Sequence, residues 1–461
     1  MRGSEIVANR LRIRKQPIIL SSSKTISQHN SQCIDCFPQD ASTCASAIQW
    51  CGETHALSLG HIIYAHILSH SYIHGHVHME SLLMNMYVKC GSIQDAICIF
   101  HHMHHPCVFA FNYTIKIYAN QGKEEKAFTL FNRMSECGVS PNQVTYTAIL
   151  SMLSKIKDGV QAGKKLHIYI IFGSFNNDVI LRTSLLNMYG KCGNLKLSKR
   201  IFEDTIEQDE FTWNAIIASY AQAGEGLNAI HFFHQMQEKG HIPERFTYVN
   251  LLSGFTGSQY SMQGKRIHAS LVGSHLEADV IIINILINMY GKCNKPEDAQ
   301  MLFDETLKLD IVTWNGMLAS YSHRENELEA LQLLRQMLLM GIAPDRVTFV
   351  SLLSICANQT FLIEGKQMHA RITCSGFALD VAVGNALVSL YGKIGCMDDA
   401  LKVFYKMFDC NLVSWNSIIS GYVEHGLGND ALSCYNEMKK AAKPPNVVTF
   451  LCVLKACGII K

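Results

Sequence analysis

The apolar positions of residues 311–345 fall into two stripes at helical spacing. Each stripe occupies positions i, i+3, i+4 and i+7: Trp314, Met317, Leu318 and Tyr321, then Ala330, Leu333, Leu334 and Met337. A period near 3.6 residues predicts two short amphipathic helices that form one hairpin. Thr313 and Asn326 are predicted N-caps, Glu329 completes a capping box with Asn326, and Gly341 followed by Pro344 predicts the end of the second helix.

The same hairpin pattern returns along most of the chain. Four segments of 35 residues carry it, at 108–142, 210–244, 311–345 and 412–446. Four segments of 31 residues precede them, at 77–107, 179–209, 280–310 and 381–411, and segments of 35 or 36 residues lie between, with an incomplete one at 447–461. A hairpin that cannot bury its apolar face alone needs stacked neighbours, so the repetition predicts an all-α solenoid formed by one continuous array.

Composition and charge narrow the class of protein only slightly. Apolar residues make up 48% of the 461 residues and charged residues 17%, which is typical of a folded chain. The longest apolar run, Val280 to Ile287, is too short to span a membrane. The net charge of +2 does not by itself indicate a nucleic-acid binder. Basic residues that bind nucleic acid must therefore be concentrated on one face.

Residues 1–40 do not carry the repeat. Up to Ile34 they contain six basic residues and six serines against the single acid Glu5, a composition typical of an organelle transit peptide. The alternative is a disordered basic leader without a targeting role. The arginines favour the mitochondrion over the chloroplast. Without a secretion signal the cysteines are expected to be reduced, and Cys33 and Cys36 form a lone pair with no partner pair at zinc spacing.

Catalytic and metal-binding patterns are largely missing from the sequence. It contains no Gly-x-Ser-x-Gly elbow, no His-Glu-x-x-His and no complete phosphate loop. His78-Met79-Glu80 matches part of a zinc-deaminase motif, but no Cys-x-x-Cys follows it. A column of cysteines recurs about every hundred residues and tolerates isoleucine, which indicates core residues rather than ligands: Cys90, Cys192 and Cys293, with Ile394. We therefore predict no catalytic residue, no metal and no cofactor.

From about Ala41 to the end, the repeats resemble those of plant pentatricopeptide repeat proteins. The phrases TWNAIIASYAQAG, LLNMYGKCGNL and EGKQMHARI carry the resemblance, and the alternating lengths resemble the P (35), L (35 or 36) and S (31) repeats of one subfamily. The resemblance implies a right-handed superhelix of hairpins that binds single-stranded organellar RNA, one nucleotide per repeat. Members act in cytidine-to-uridine editing, splicing, processing or stabilisation of transcripts. No E-type extension or deaminase domain is recognisable up to Lys461, so either the chain is part of a longer protein or it works by binding RNA and recruits enzymes in trans. On this sequence we predict an RNA-binding factor rather than an enzyme.

The fifth position of the P and S repeats is polar and is suited to line an RNA-binding groove. Asn315 follows the buried Trp314, and adjacent helix residues point about 100° apart, so Asn315 can face a groove lined by first helices. The same fifth position is polar in the other P and S repeats: Asn112, Asn214, Asn416, Thr183, Asn284 and Asn385. Repeated amides or hydroxyls are suited to reading splayed bases. The alternative is that the fifth-position Asn or Thr only caps the first helix, although Thr212, Thr313 and Ser414 are better placed as caps.

The resemblance pairs this fifth residue with the last residue of the same repeat. Asparagine at the fifth position then implies a pyrimidine, threonine a purine, a last Asp selects U or G, and a last Asn selects C or A. The implied bases are C for Asn112 with Asn142, G for Thr183 with Asp209, a pyrimidine for Asn214 with Glu244, U for Asn284 with Asp310 and for Asn315 with Asp345, and C for Asn385 with Asn411 and for Asn416 with Asn446. Ser81 with Cys107 implies no base, and the L repeats, with Ala45, Thr147, Val249 and Val350, are expected to provide spacing. The implied target is C-x-G-Y-x-U-U-x-C-C.

Two further columns fit an RNA groove. The second repeat position is apolar and in the family sandwiches bases, although core packing is an alternative: Phe109, Ile180, Phe211, Ile281, Val312, Ala382 and Val413. A lysine ends the first helix of each S repeat and is predicted to contact phosphate rather than only solvent: Lys89, Lys191, Lys292 and Lys393. The alternative function is a helical-repeat scaffold that binds protein, whose groove would need no pairing of fifth and last residues.

Overall fold

The computed structural model describes residues 41–69, 77–103, 105–156, 159–173, 175, 177–306, 309–322, 327–358 and 360–460. The predicted leader 1–40, with Cys33 and Cys36, and the predicted cap Asn326 lie outside these residues. In the described part, 25 α-helices and one short 3₁₀ turn form the regular structure, and no strand is present. The all-α prediction is confirmed. None of the helices in these ranges has the length and apolar character needed to cross a membrane.

The helices occur in pairs that follow the repeats. In S repeats they are Val77–Lys89 and Ile93–His102, Val179–Lys191 and Leu195–Glu203, Val280–Lys292 and Pro296–Glu305, Val381–Ile394 and Met397–Lys406. In P repeats they are Val108–Asn120 and Glu124–Glu136, Glu210–Gln222 and Gly226–Glu238, Ile311–Ser322 and Glu327–Leu339, Leu412–Glu424 and Gly428–Lys440. In L repeats they are Ala41–Glu53 and Leu57–Ser69, Gln143–Leu153 and Gly159–Phe172, Arg245–Ser253 and Ser261–Leu271 with the 3₁₀ turn Ser258–Tyr260 between them, Arg346–Asn358 and Leu362–Cys374, and finally Val447–Ile459.

The chain forms two compact units, one ending at Leu153 and the other beginning at Ser154. The division falls inside the predicted L repeat 143–178. A repeat contacts only its neighbours, so no shared core joins distant repeats. Within each unit, a first helix packs against its own second helix and against the first helix of the following repeat.

Both apolar stripes of residues 311–345 are buried, as their spacing predicts. Trp314 packs edge-on against Phe303 of the preceding S repeat, with ring centroids 4.9 Å apart. The same contact recurs for Trp213 with Phe202 at 4.7 Å, for Trp415 with Phe404 at 4.8 Å, and for Phe111 with Phe100 at 5.2 Å. The aromatic residue at the fourth position of each P repeat thus joins it to the S repeat before it.

The predicted hydroxyl caps are wrong. The helices of three P repeats begin one residue after Asp209, Asp310 and Asn411, and these side chains accept from the backbone N–H three residues on, at 2.8, 2.8 and 3.0 Å. Thr212, Thr313 and Ser414 lie inside the first turn. Asp and Asn are as good as Ser or Thr at an N-cap, and the hydroxyl three residues later completes the cap from within the helix.

A histidine–tyrosine hydrogen bond marks each junction from an L repeat to the next S repeat. The Nδ1 atom lies within hydrogen-bond distance of the tyrosine oxygen in four places: His61 with Tyr87 at 3.1 Å, His167 with Tyr189 at 3.3 Å, His268 with Tyr290 at 2.8 Å and His369 with Tyr391 at 2.9 Å. Burial lowers the pKa of His167, His268 and His369. The rings of His167, His268 and His369 are therefore neutral at pH 7 and link successive repeats as hydrogen-bonding groups, not as charges.

Candidate nucleic-acid interface

The structure brings a fifth-position asparagine and the last residue together in five repeats. In each, the fifth-position Asn donates from Nδ2 to Oδ1 of the last residue: Asn112 to Asn142 at 3.0 Å, Asn284 to Asp310 at 3.3 Å, Asn315 to Asp345 at 3.1 Å, Asn385 to Asn411 at 3.3 Å and Asn416 to Asn446 at 3.2 Å. These residues are 26 or 30 positions apart in sequence. The last residue also caps the next helix, so one Oδ1 holds the pair and the helix start together.

Asp345 shows what this arrangement does to a carboxylate. Its Oδ1 accepts from the Thr348 backbone N–H at 2.8 Å, the Thr348 hydroxyl at 2.9 Å and the Asn315 amide at 3.1 Å. Burial raises the pKa of Asp345, but these hydrogen bonds outweigh it, and the pKa lies below its ordinary value. The pKa of Asp310 is lowered by the same balance. Both side chains are ionised at neutral pH, and Oδ2 can accept from a ring N–H.

Two of the predicted pairs do not form a direct hydrogen bond. Thr183 reaches Asp209 only through Thr212, with 2.9 Å between the two hydroxyls and 2.6 Å from Thr212 to Asp209 Oδ1. Asn214 Oδ1 is buried without a partner, and Glu244 instead forms a capping box with Thr247. Glutamate is one methylene longer than aspartate, so its carboxylate does not take the position that Asp345 takes.

The second-position side chains are exposed, which rules out the alternative that they pack in the core. Phe109 is 64% exposed and Phe211 75%, although both are large and apolar. The remaining predicted members are exposed too: Ile180, Ile281, Val312, Ala382 and Val413. The sequence analysis missed the same position in the L repeats, where Phe246 is 64% exposed. Three valines occupy the same position in other L repeats and are 53%, 49% and 51% exposed: Val144, Val347 and Val448. The apolar second position of the L repeats identifies all four residues in the sequence.

A cavity of about 380 Å³ is lined by second-position residues, a pair of fifth and last residues, and a lysine. Its lining includes the second-position residues Val413 and Val448, the pair Asn416 and Asn446, and Lys393. Lys393 Nζ donates to Asn358 Oδ1 at 2.9 Å. The equivalent lysines of the other S repeats are exposed: Lys89, Lys191 and Lys292. Apolar side chains can pack against a base, amides can form hydrogen bonds with its edge, and a lysine can contact a phosphate.

The L repeats have a different arrangement at the same place. The last residue, Asp279, caps the following helix through Oδ1, and its Oδ2 lies 2.8 Å from Nε of Arg245, the first residue of the same repeat. Arg346 faces Asp380 in the next L repeat at 3.9 Å. The fifth residues Val249 and Val350 offer no hydrogen-bonding group. In these two L repeats, therefore, the fifth residue is apolar and the last carboxylate faces an arginine, so the side-chain pair of the P and S repeats is not formed.

Family profiles match this chain at the repeats. A profile described as the PPR repeat family matches residues 106–155, 208–257, 309–358 and 410–458. A second, described as PPR repeat, matches residues 81–105, 181–209, 281–311 and 385–412. Together these matches cover more than half of the chain.

Relatives with the same repeats occur in Arabidopsis thaliana. One pentatricopeptide repeat-containing protein is 31% identical over 92% of this chain and 61% of its own length. A chloroplastic one is 30% identical over 84% of this chain and 63% of its own length. The chain thus spans less than two thirds of these relatives. The maize pentatricopeptide repeat protein PPR10 gives a TM-score of 0.57 at 19% identity, covering 92% of this chain and 68% of that chain. This similarity confirms the predicted solenoid fold of helical hairpins.

Proposed function

We propose that this chain, which belongs to the pentatricopeptide repeat family, is a sequence-specific factor that binds single-stranded RNA in organellar transcript metabolism. The observation that carries the proposal is the hydrogen bond between fifth and last residues, formed in five repeats with one geometry. A protein-binding scaffold has no need for an asparagine amide paired with a second amide or a carboxylate at the same point of five P and S repeats. One such pair per hairpin matches the reading of one base per repeat.

The target follows from the pairs in order along the chain. From Val108 onward they specify C-x-G-Y-x-U-U-x-C-C, with the L repeats silent at the positions marked x. The third nucleotide comes from Thr183 with Asp209 and the fourth from Asn214 with Glu244. Neither of these two pairs forms a direct hydrogen bond. The exposed second-position side chains supply stacking surfaces, and Lys89, Lys191, Lys292 and Lys393 supply phosphate contacts.

The subclass and compartment are part of the same proposal. The alternating repeat lengths of 31 and 35 residues support membership of the subfamily with P, L and S repeats. Relatives in Arabidopsis thaliana at 28 to 31% identity are named as mitochondrial or chloroplastic, and the arginines of residues 1–40 favour the mitochondrion. In this proposal the chain recognises a site in a transcript, and a different protein supplies the chemistry of editing, splicing or processing.

The test is binding of the full chain to an RNA carrying C-x-G-Y-x-U-U-x-C-C, compared with a shuffled RNA of equal composition, at several salt concentrations. We expect binding to the target to be at least about tenfold tighter, because mismatched base-edge contacts leave buried polar groups unpaired. Both affinities should fall with salt. Equal affinity for the two RNAs would reduce the interaction to phosphate attraction and contradict the proposal.

A further inference from the structure

A buried hydroxyl contacts the base-reading pair in several repeats. It belongs to the third residue of the following repeat, and every member is fully buried: Thr145, Thr212, Thr313, Thr348, Ser414 and Thr449. In four places it donates to Oδ1 of the fifth-position Asn: Thr145 to Asn112 at 2.6 Å, Thr348 to Asn315 at 2.7 Å, Ser414 to Asn385 at 2.6 Å and Thr449 to Asn416 at 2.7 Å. A residue so buried cannot touch a base, so any effect on recognition acts through the asparagine.

The direction of these hydrogen bonds fixes the asparagine amide. The Thr348 hydroxyl oxygen accepts from the Asp345 backbone N–H at 3.1 Å, and its single hydrogen is shared between Asn315 Oδ1 at 2.7 Å and Asp345 Oδ1 at 2.9 Å. Asn315 must therefore turn Oδ1 toward Thr348 and Nδ2 toward Asp345, whose carboxylate only accepts. One hydrogen of Nδ2 is used inside the pair, and the other remains available. Without the hydroxyl, Asn315 Oδ1 has no donor in this buried contact, and only the hydrogen bond from Nδ2 to Asp345 holds the amide.

In two repeats this connection, the hydrogen bond from the third-position hydroxyl of the following repeat to Oδ1 of the fifth-position Asn, is missing. Asn284 donates to Asp310, but its Oδ1 is buried without a partner, because the Thr313 hydroxyl donates to Asp310 at 2.7 Å instead. Asn214 Oδ1 is also buried without a partner. The difference is not one between S and P repeats, since Asn385 is held by Ser414 within an S repeat.

We infer that the third-position hydroxyl of the following repeat is a positioning residue that sets how strictly each Asn discriminates its base. The inference rests on the proposed function, because it concerns the same base-reading pairs. Repeats with the complete connection discriminate more strongly than those without it. The chain contains a matched comparison: the pairs Asn284 with Asp310 and Asn315 with Asp345 both specify U, at the sixth and seventh nucleotides, and only the second is connected.

The experiment measures the affinity of the full chain for RNAs with a single U-to-C change at the sixth or the seventh nucleotide. In the wild type, the change at the seventh is expected to cost more. Thr348→Val keeps the shape of the side chain and removes the hydroxyl, and should reduce discrimination at the seventh nucleotide by about 3- to 10-fold. Discrimination at the sixth should not change. Thr348→Ser restores the hydroxyl, as Ser414 provides it naturally, and should restore discrimination.

The possible results distinguish a failure of this inference from a failure of the proposed function. A Thr348→Val chain that loses affinity equally for every RNA, or that discriminates at the seventh nucleotide as the wild type does, overturns the inference alone. A wild type without any sequence preference overturns the proposed function as well. Thermal unfolding of both variants provides the fold control, and the wild-type comparison of the sixth and seventh nucleotides keeps the test decisive if Thr348→Val unfolds: an equal cost at both positions would overturn the inference.

Discussion

Replacing Trp314 by Ala is expected to lower the free energy of unfolding by about 3 to 5 kcal/mol. The indole is 1% exposed and packs edge-on against Phe303, so alanine leaves a cavity where two repeats meet. In a repeat array the loss stays local but weakens both neighbours. Urea unfolding followed by far-UV circular dichroism measures the change.

Trp314→Phe is the matched control for this prediction. Phe111 occupies the same position of another P repeat and packs against Phe100. The Trp314 Nε1 group is buried without a hydrogen-bond partner, so phenylalanine removes no polar contact. The loss should be well below that of alanine. An alanine variant that unfolds within about 1 kcal/mol of the wild type would contradict the packing described for this junction.

The double variant Phe211→Ala and Phe246→Ala is expected to weaken RNA binding without changing stability. These side chains hold the second position of consecutive repeats and are 75% and 64% exposed. Because they are exposed, their removal should alter the free energy of unfolding by less than about 0.5 kcal/mol. Loss of stacking costs about 1 to 3 kcal/mol per base, so affinity for the target should fall by at least about fivefold. Fluorescence anisotropy with a labelled RNA measures it.

A control for this variant lies on a second helix. Leu227 is 62% exposed in the helix Gly226–Glu238 and belongs to no second-position column. Leu227→Ala should change neither stability nor affinity. Equal binding by the Phe variant and the wild type would mean that exposed second-position side chains do not contact the RNA.

The residue pattern predicts the fold because the apolar positions recur at fixed spacing, whereas the pairs of fifth and last residues come from the resemblance to pentatricopeptide repeats. Spacing alone suggests that Asn315, next to the buried Trp314, leaves the core, but the structure buries both: Trp314 is 1% exposed and Asn315 9%, with its amide paired to Asp345. Caps are harder to predict. Asp310 and Thr313 can each cap a helix, and only the position of the first turn shows that Asp310 does so.

The hydroxyl connection could not be predicted from sequence. Thr313 and Thr348 occupy equivalent positions beside Asn–Asp pairs, yet one hydroxyl donates to the carboxylate alone and the other reaches the asparagine. The choice depends on the positions of adjacent helices, which residue identity does not encode.

Asp345→Asn tests the central claim most directly, in affinities for the target RNA with U or C at the seventh nucleotide. The hydrogen bonds of Asp345 end on Oδ1, which leaves Oδ2 for the ring N–H of uracil, and asparagine would present an amide donor to the ring nitrogen of cytosine. Asn446 makes the same cap and pair, so the fold should be kept. We predict that the wild type prefers U and the variant prefers C, each by about tenfold. An unchanged preference would contradict base reading by these pairs.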